Sequence, residues 1–154
     1  MRVLGIDFGR RRVGLAISDP SGTLARPLAT VETSPARMLE DVSVEIARLI
    51  EDDDGLAEIV VGVPVALDGS PTRMTAEVRG FVRALRARWA VPILGVEERL
   101  TSREAESRLA VGERDWKKRK AKLDAAAAAV ILQDHLDRLH ASTAGLEHEP
   151  EGTP

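Results

Sequence analysis

Apolar positions in the first thirty residues follow the period of a strand. Residues 3–8 form a short apolar run, and over 12–18 Val13, Leu15 and Ile17 alternate with smaller or polar residues. Asp19-Pro20-Ser21-Gly22 carries turn chemistry, and residues 25–31 predict a third strand. Tight turns between these segments predict an antiparallel meander. The period then changes. Met38, Leu39, Val42, Ile46, Leu49 and Ile50 recur at helical spacing, with Ser34-Pro35 as cap and first helical position and Gly55 just past the end. Residues 58–63 are rich in β-branched side chains and predict a buried strand, followed by a loop over 64–69. Ser70-Pro71 repeats the serine-proline start for a helix reaching about residue 89, and 92–98 predict another short strand. Thr101 and Glu104 make a capping box for a helix ending near Gly112. A basic loop follows, then a last helix over 122–140, whose alanine run from Ala125 to Ala129 allows close packing on the sheet.

Helix-linked strands imply a parallel half and the opening meander an antiparallel half. The expected fold class is therefore α/β, a mixed five-stranded sheet flanked by helices. One domain is expected over residues 1–141; the polar, acidic, proline-ended stretch 142–154 reads as a disordered tail. At 154 residues the chain is long enough to bury a core. No apolar run approaches the roughly 20 residues that span a bilayer. The first nine residues are too soon interrupted to be a secretion signal, so a cytoplasmic protein with no membrane partner is expected.

Composition narrows the chemistry. Cysteine is absent and there are only three histidines, which excludes thiolate sites and argues against a histidine-rich zinc site. A metal would be held by oxygen, which favours Mg²⁺ or Mn²⁺. The net charge of −3 does not point to nucleic acid, but its distribution does. Arg10, Arg11 and Arg12 are contiguous, and Arg114, Lys117, Lys118, Arg119, Lys120 and Lys122 crowd a second stretch, while acids gather at 51–54 and in the tail. Separated charge of this kind can follow a phosphate backbone even when the total is negative.

Three acidic positions stand out. Asp7 closes an apolar strand, where a carboxylate is costly unless it is paired or bound to metal, and Gly5, Gly9 and Gly14 would leave room for a ligand around it. Glu97 and Glu98 close the strand VPILGVEE, and alternation lets at most one of them enter a given site. Asp124 shares a helical face with Ala127, Ala128 and Ile131, the face expected to meet the sheet, and near the start of its helix it would be kept ionised by the dipole. Clustered carboxylates repel one another and call for a cation. Spacing along the chain permits their convergence without proving it.

The segments IDFGRRRVGLAISD, IVVGVPVALDGS, GVEERLTSREAE and KAKLDAAAAAVILQD together resemble the YqgF or RuvX family over about residues 1–140. Members are described as Holliday-junction-resolvase-like nucleases and as nucleases that mature precursor small-subunit ribosomal RNA. The resemblance implies an RNase H-like fold and a divalent-metal acidic site in which Asp7, Glu98 and Asp124 are both metal ligands and catalytic residues. The family's aspartate-glutamate-arginine motif falls on Glu97-Glu98-Arg99; the longer Glu97 leaves open which carboxylate enters the site. A fourth acid found in related resolvases falls on Ala127 here. The resemblance also suggests a role beside the site for the loop from Gly62 to Ser70, which otherwise reads as a turn and a helix cap.

The expected activity is hydrolysis of phosphodiester bonds in structured nucleic acid: RNA, at the 5′ end of precursor small-subunit ribosomal RNA, or branched DNA. Arg10, Arg11, Arg12, Arg99, Lys117, Lys118, Arg119, Lys120 and Lys122 are the expected phosphate-binding residues, in a monomer or a homodimer. Trp116 offers a stacking surface or a loop anchor; Trp89 reads as core, His135 as structural, and His140 and His148 as exposed. Two other classes stay open. Asp7-Phe8-Gly9 with Gly14 also resembles the phosphate loop of the actin, hexokinase and Hsp70 superfamily, and a nucleic-acid-binding module with a degenerate site would share the same charge pattern.

Overall fold

The computed structural model describes residues 1–99 and 116–146; of 116–121 and 143–146 only the backbone is described. The helix expected over 101–112 and the residues 147–154 lie outside the described residues. Five strands, β1 (Arg2–Asp7), β2 (Arg12–Ser18), β3 (Ala25–Glu32), β4 (Leu56–Val65) and β5 (Ile93–Arg99), form one sheet in the order β3-β2-β1-β4-β5. β1 pairs antiparallel with β2, and β2 with β3, whereas β1–β4 and β4–β5 are parallel. The expected mixed sheet is thus the one observed.

Helices cover both faces. α1 (Met38–Glu51) and α2 (Arg73–Arg88) take one face, where Leu4, Ile6, Leu15, Ile59, Val61, Val42, Ile46, Val78 and Leu85 form the main core. α3 (Trp116–Leu146) takes the other, packing Ala128, Ile131, Leu132 and Leu136 on Val3, Ala16 and Val60. Because successive strand residues point to opposite faces, β1 divides cleanly. Leu4 and Ile6 face α1 and α2, while Val3, Gly5 and Asp7 face α3.

Close approach of α3 depends on glycines as well as on its alanines. A Cβ on Gly5 would lie 2.8 Å from Cβ of Leu132, and one on Gly14 would lie 2.0 Å from the carbonyl oxygen of Asp124. At Gly5 and Gly14 the room left by the missing side chains is taken by α3 itself. At Gly9 the obstacle is the Arg12 carbonyl oxygen, 2.3 Å from such a Cβ. This glycine serves the turn between β1 and β2.

Element boundaries shift in instructive ways. α1 begins at Met38 with Arg37 as its cap; Ser34 and Pro35 belong to a preceding turn closed by Arg37 N–H to the Ser34 carbonyl. Gly55 follows a further turn after Asp52, at φ +60°, rather than the helix end. α2 is capped by Thr72, not Ser70: Thr72 and Thr75 satisfy each other's backbone groups, and the Thr75 hydroxyl also donates to the Pro64 carbonyl at 2.5 Å. α3 starts at Trp116, six residues before its expected start, so Lys117, Lys118, Arg119, Lys120 and Lys122 stand on helix and not on a loop. It also runs on to Leu146, past the expected boundary at residue 141. Among the described residues no helix is long and apolar enough to cross a membrane.

Candidate active site

β1, β4 and β5 run parallel and finish at the same end of the sheet, and each candidate acid reaches that end by a different route. Asp7 is the last residue of β1, directly opposite Gly14 on β2 and in register with Gly62 on β4. Cross-strand partners point to the same face, so Asp7 projects to the side covered by α3. Both of its neighbours lack side chains, and other groups fill the space. The Asp124 backbone rests on Gly14, and a Cβ on Gly62 would meet Cδ1 of Ile131 at 2.6 Å and Cγ of Glu98 at 3.6 Å. Glu98 therefore leans over β4 on the α3 face. Asp7, bracketed by Gly14 and Gly62, stands between Asp124 on one side and Glu98 on the other. With strands about 4.8 Å apart, the row spans on the order of 10 Å.

Strand alternation puts Glu97 and Glu98 on opposite faces of the sheet. Val96 joins the apolar cluster beneath α3, and Glu98, two residues on, lies on the same side. Glu97 turns to the opposite face, is exposed, and receives a hydrogen bond from Arg79 of α2 at 3.3 Å. All three acids on the α3 side are half-buried, and Oε1 of Glu98 is fully buried. Burial of like charges side by side raises their mutual repulsion. Among the described residues no three His, Cys, Asp or Glu side chains already sit close enough to share one metal ion. The acids form an open row, not a closed ligand cage. Asp124 stands eight residues into α3, so the expected help from the helix N-terminus falls away, because that effect fades beyond the first turn.

The candidate phosphate-binding residues divide. Arg10 is committed to Glu77 of α2 through two hydrogen bonds, one of 3.0 Å and one shorter. That pairing raises the guanidinium pKa and lowers that of the Glu77 carboxyl. Arg11 is exposed at the β1–β2 turn, and Arg12 is half-buried at the start of β2. Arg99, exposed at the end of β5, places a guanidinium nitrogen 3.8 Å from where a Cβ on Gly69 would stand. It thereby faces the turn after β4, where Asp68 accepts the Ser70 hydroxyl at 2.6 Å and its N–H at 2.9 Å. The two Ser70 hydrogen bonds, with Arg99 nearby, hold the Asp68 carboxyl below the usual range. Lys122 is exposed on α3. Glu77 and Arg79, which occupy Arg10 and Glu97, were not visible as partners in the sequence; only the packing of α2 reveals them. His135 is buried, with Nε2 2.6 Å from Oε1 of Glu58, well away from the acidic row, and exposed His140 meets the Gly22 carbonyl. Trp89 packs against the main core and donates to the Ser43 hydroxyl.

A mixed sheet in this order, with helices on both faces and acids at the ends of the central strand β1 and the edge strand β5, defines an RNase H-like α/β domain. The Thermus thermophilus RuvC structure shares it at a TM-score of 0.51 and 16% identity, covering 92% of this chain and 97% of that one. The chain belongs to the RuvX family, whose model, described as Holliday junction resolvase, matches residues 1–138. A relative from Maridesulfovibrio salexigens is 41% identical over 138 residues, 90% of this chain and 99% of its own. One from Dictyoglomus thermophilum is 41% identical over 137 residues, 89% and 96% respectively. Both are named as pre-16S rRNA nucleases, the enzyme class expected from the sequence.

Proposed function

We propose that this chain is a divalent-metal-dependent endonuclease of the cytoplasm that processes structured RNA at the 5′ end of precursor small-subunit ribosomal RNA. The observation that carries this reading is the common face of Asp7, Glu98 and Asp124, reached from a strand end, a second strand end and a helix, with Glu97 turned away. Three carboxylates with no thiolate or imidazole among them suit a hard cation such as Mg²⁺ or Mn²⁺, and a half-buried acidic row gains most from neutralisation by one. Bound there, the ion would acidify a water and offset charge on the departing oxygen. The protein's own task is to hold the carboxylates in a fixed row, with the rigid sheet beneath and α3 as wall. Arg99, Arg11 and Lys122 would meet substrate phosphates without reading sequence. Arg10 contributes only if it leaves Glu77.

The family description favours a second substrate, the Holliday junction. Symmetric cleavage of a two-fold junction needs two sites and hence a dimer, whereas a single cut in RNA needs one copy. A cleavage assay with Mg²⁺ or Mn²⁺ on a precursor ribosomal RNA and on a four-way DNA junction separates the two. Metal-dependent cutting of the RNA is expected. The Asp7→Asn variant should lose at least two orders of magnitude of activity, comparable to losing a major electrostatic contributor to the transition state. Undiminished cleavage by that variant would remove the proposal.

A further inference from the structure

Helix α2 carries Arg73, Arg79, Arg83, Arg86 and Arg88 against a single acid, Glu77. All five arginines are exposed. In a chain of net charge −3 this is a strong local excess. Arg79, Arg83 and Arg86 follow one another at spacings of four and three, a like-charge row that weakens an isolated helix. Arg73 is the first residue of the helix, and the first turn has no acid, so a cation sits where the dipole disfavours it. Arg79 and Arg86 reach across to β5, to Glu97 and the Ile93 carbonyl, and Arg88 pairs with Glu40. Arg73 and Arg83 have no acidic partner among the described residues. Between them the helix exposes Ala76, Glu77 and Arg79 and leaves Gly80 half-buried, and Glu77 and Arg79 are engaged by Arg10 and Glu97. Charge placed against local preference, with Arg73 and Arg83 exposed and without an acidic partner among the described residues, is what a polyanion-binding surface requires.

We infer that the outer face of α2 is a second docking surface for the sugar-phosphate backbone of a helical nucleic acid, centred on Arg73 and Arg83. This rests on the nuclease reading for its substrate but not for its geometry. α2 starts at the end of the sheet where Asp7 and Glu98 stand, and its arginine row flanks the edge strand β5, whose last residues include Glu98. The acids lie on the opposite sheet face. A substrate cut at the acidic row reaches α2 only by passing over the β5 edge, so a long stem engages both surfaces and a short one only the site.

The test is the Arg73→Gln, Arg83→Gln double variant in the full chain, with binding to a long-stem RNA hairpin, a short-stem hairpin and a four-way DNA junction measured without divalent metal across a salt series. Two lost phosphate contacts should lower the slope of log K against log salt by roughly 2 and weaken long-stem and junction binding about tenfold at moderate salt. Short-stem binding should hardly change. Thermal stability should stay the same or rise, since a cation leaves a helix N-terminus; a merely structural role would lower it. Equal affinity and equal salt slope for variant and wild type on the long stem and the junction would overturn the inference. Because no metal is present, this outcome is independent of whether the acidic row cleaves. Separately, loss of cleavage in Asp7→Asn with unchanged salt-dependent binding would leave both proposals standing.

Discussion

Glu97 and Glu98 are identical in chemistry and adjacent in sequence, yet the sheet sends one to Arg79 and the other towards Asp7. Residue identity alone could not make that choice; the facing of Val96 beneath α3 makes it. Asp19 shows the opposite case, in which local chemistry is sufficient. Its carboxylate accepts N–H groups from Thr23 and Leu24 at 2.8 and 2.9 Å and the Ser21 hydroxyl, which close the β2–β3 turn foreseen from Asp-Pro-Ser-Gly. These bonds, the Ser21 hydroxyl first, lower its pKa from 3.8 to about 2. A depressed native pKa means that the unfolded chain takes up the proton first. The contribution of Asp19 is therefore whole above about pH 4 and is lost as pH falls towards about 2. Acid titration of thermal stability should show wild type losing its advantage over Asp19→Asn across that window. A constant difference between the two would count against the turn's role.

At the scale of elements, α3 is set by glycines in the strands it covers. A methyl group on Gly14 would meet the Asp124 carbonyl at 2.0 Å, and backbone on both sides leaves little freedom to yield. Gly14→Ala should cost about 3 kcal/mol, the upper end for overpacking, and lower Tm by roughly 10 °C, with any residual folded protein showing a displaced α3 and weakened cleavage. A Tm within a degree or two of wild type would show that α3 is not seated there. Periodicity made the strands, the two covering helices and the apolar face of α3 legible, because burial imposes it. Helix starts were less so. Ser34-Pro35 and Ser70-Pro71 have the right residue types, but the chain uses them in turns and begins each helix a few residues later, where Thr72 finds Thr75. The early start of α3 was hidden because a basic, polar stretch has no apolar period to read. Gly5 and Gly14 signal close approach in the sequence without saying by what; the folded chain supplies α3.

For the molecule as a whole, the sheet separates two kinds of surface. The α3 face carries the acidic row, and the α2 face carries arginines, several of them matched to Glu97, Glu77 and Glu40 by contacts that only the folded chain creates. The three candidate acids could be named from the sequence together with the family resemblance; their common face is a property of register, alternation and helix packing acting together. That common face is the claim on which the nuclease reading depends. It is tested most directly by comparing Glu98→Gln with Glu97→Gln in metal-supplemented cleavage of precursor ribosomal RNA. The two substitutions remove the same charge one residue apart and differ only in the side of the sheet they alter. Cleavage should fall by on the order of a hundredfold or more in Glu98→Gln and stay within a few-fold of wild type in Glu97→Gln. An equal loss in both, or the greater loss in Glu97→Gln, would contradict the account.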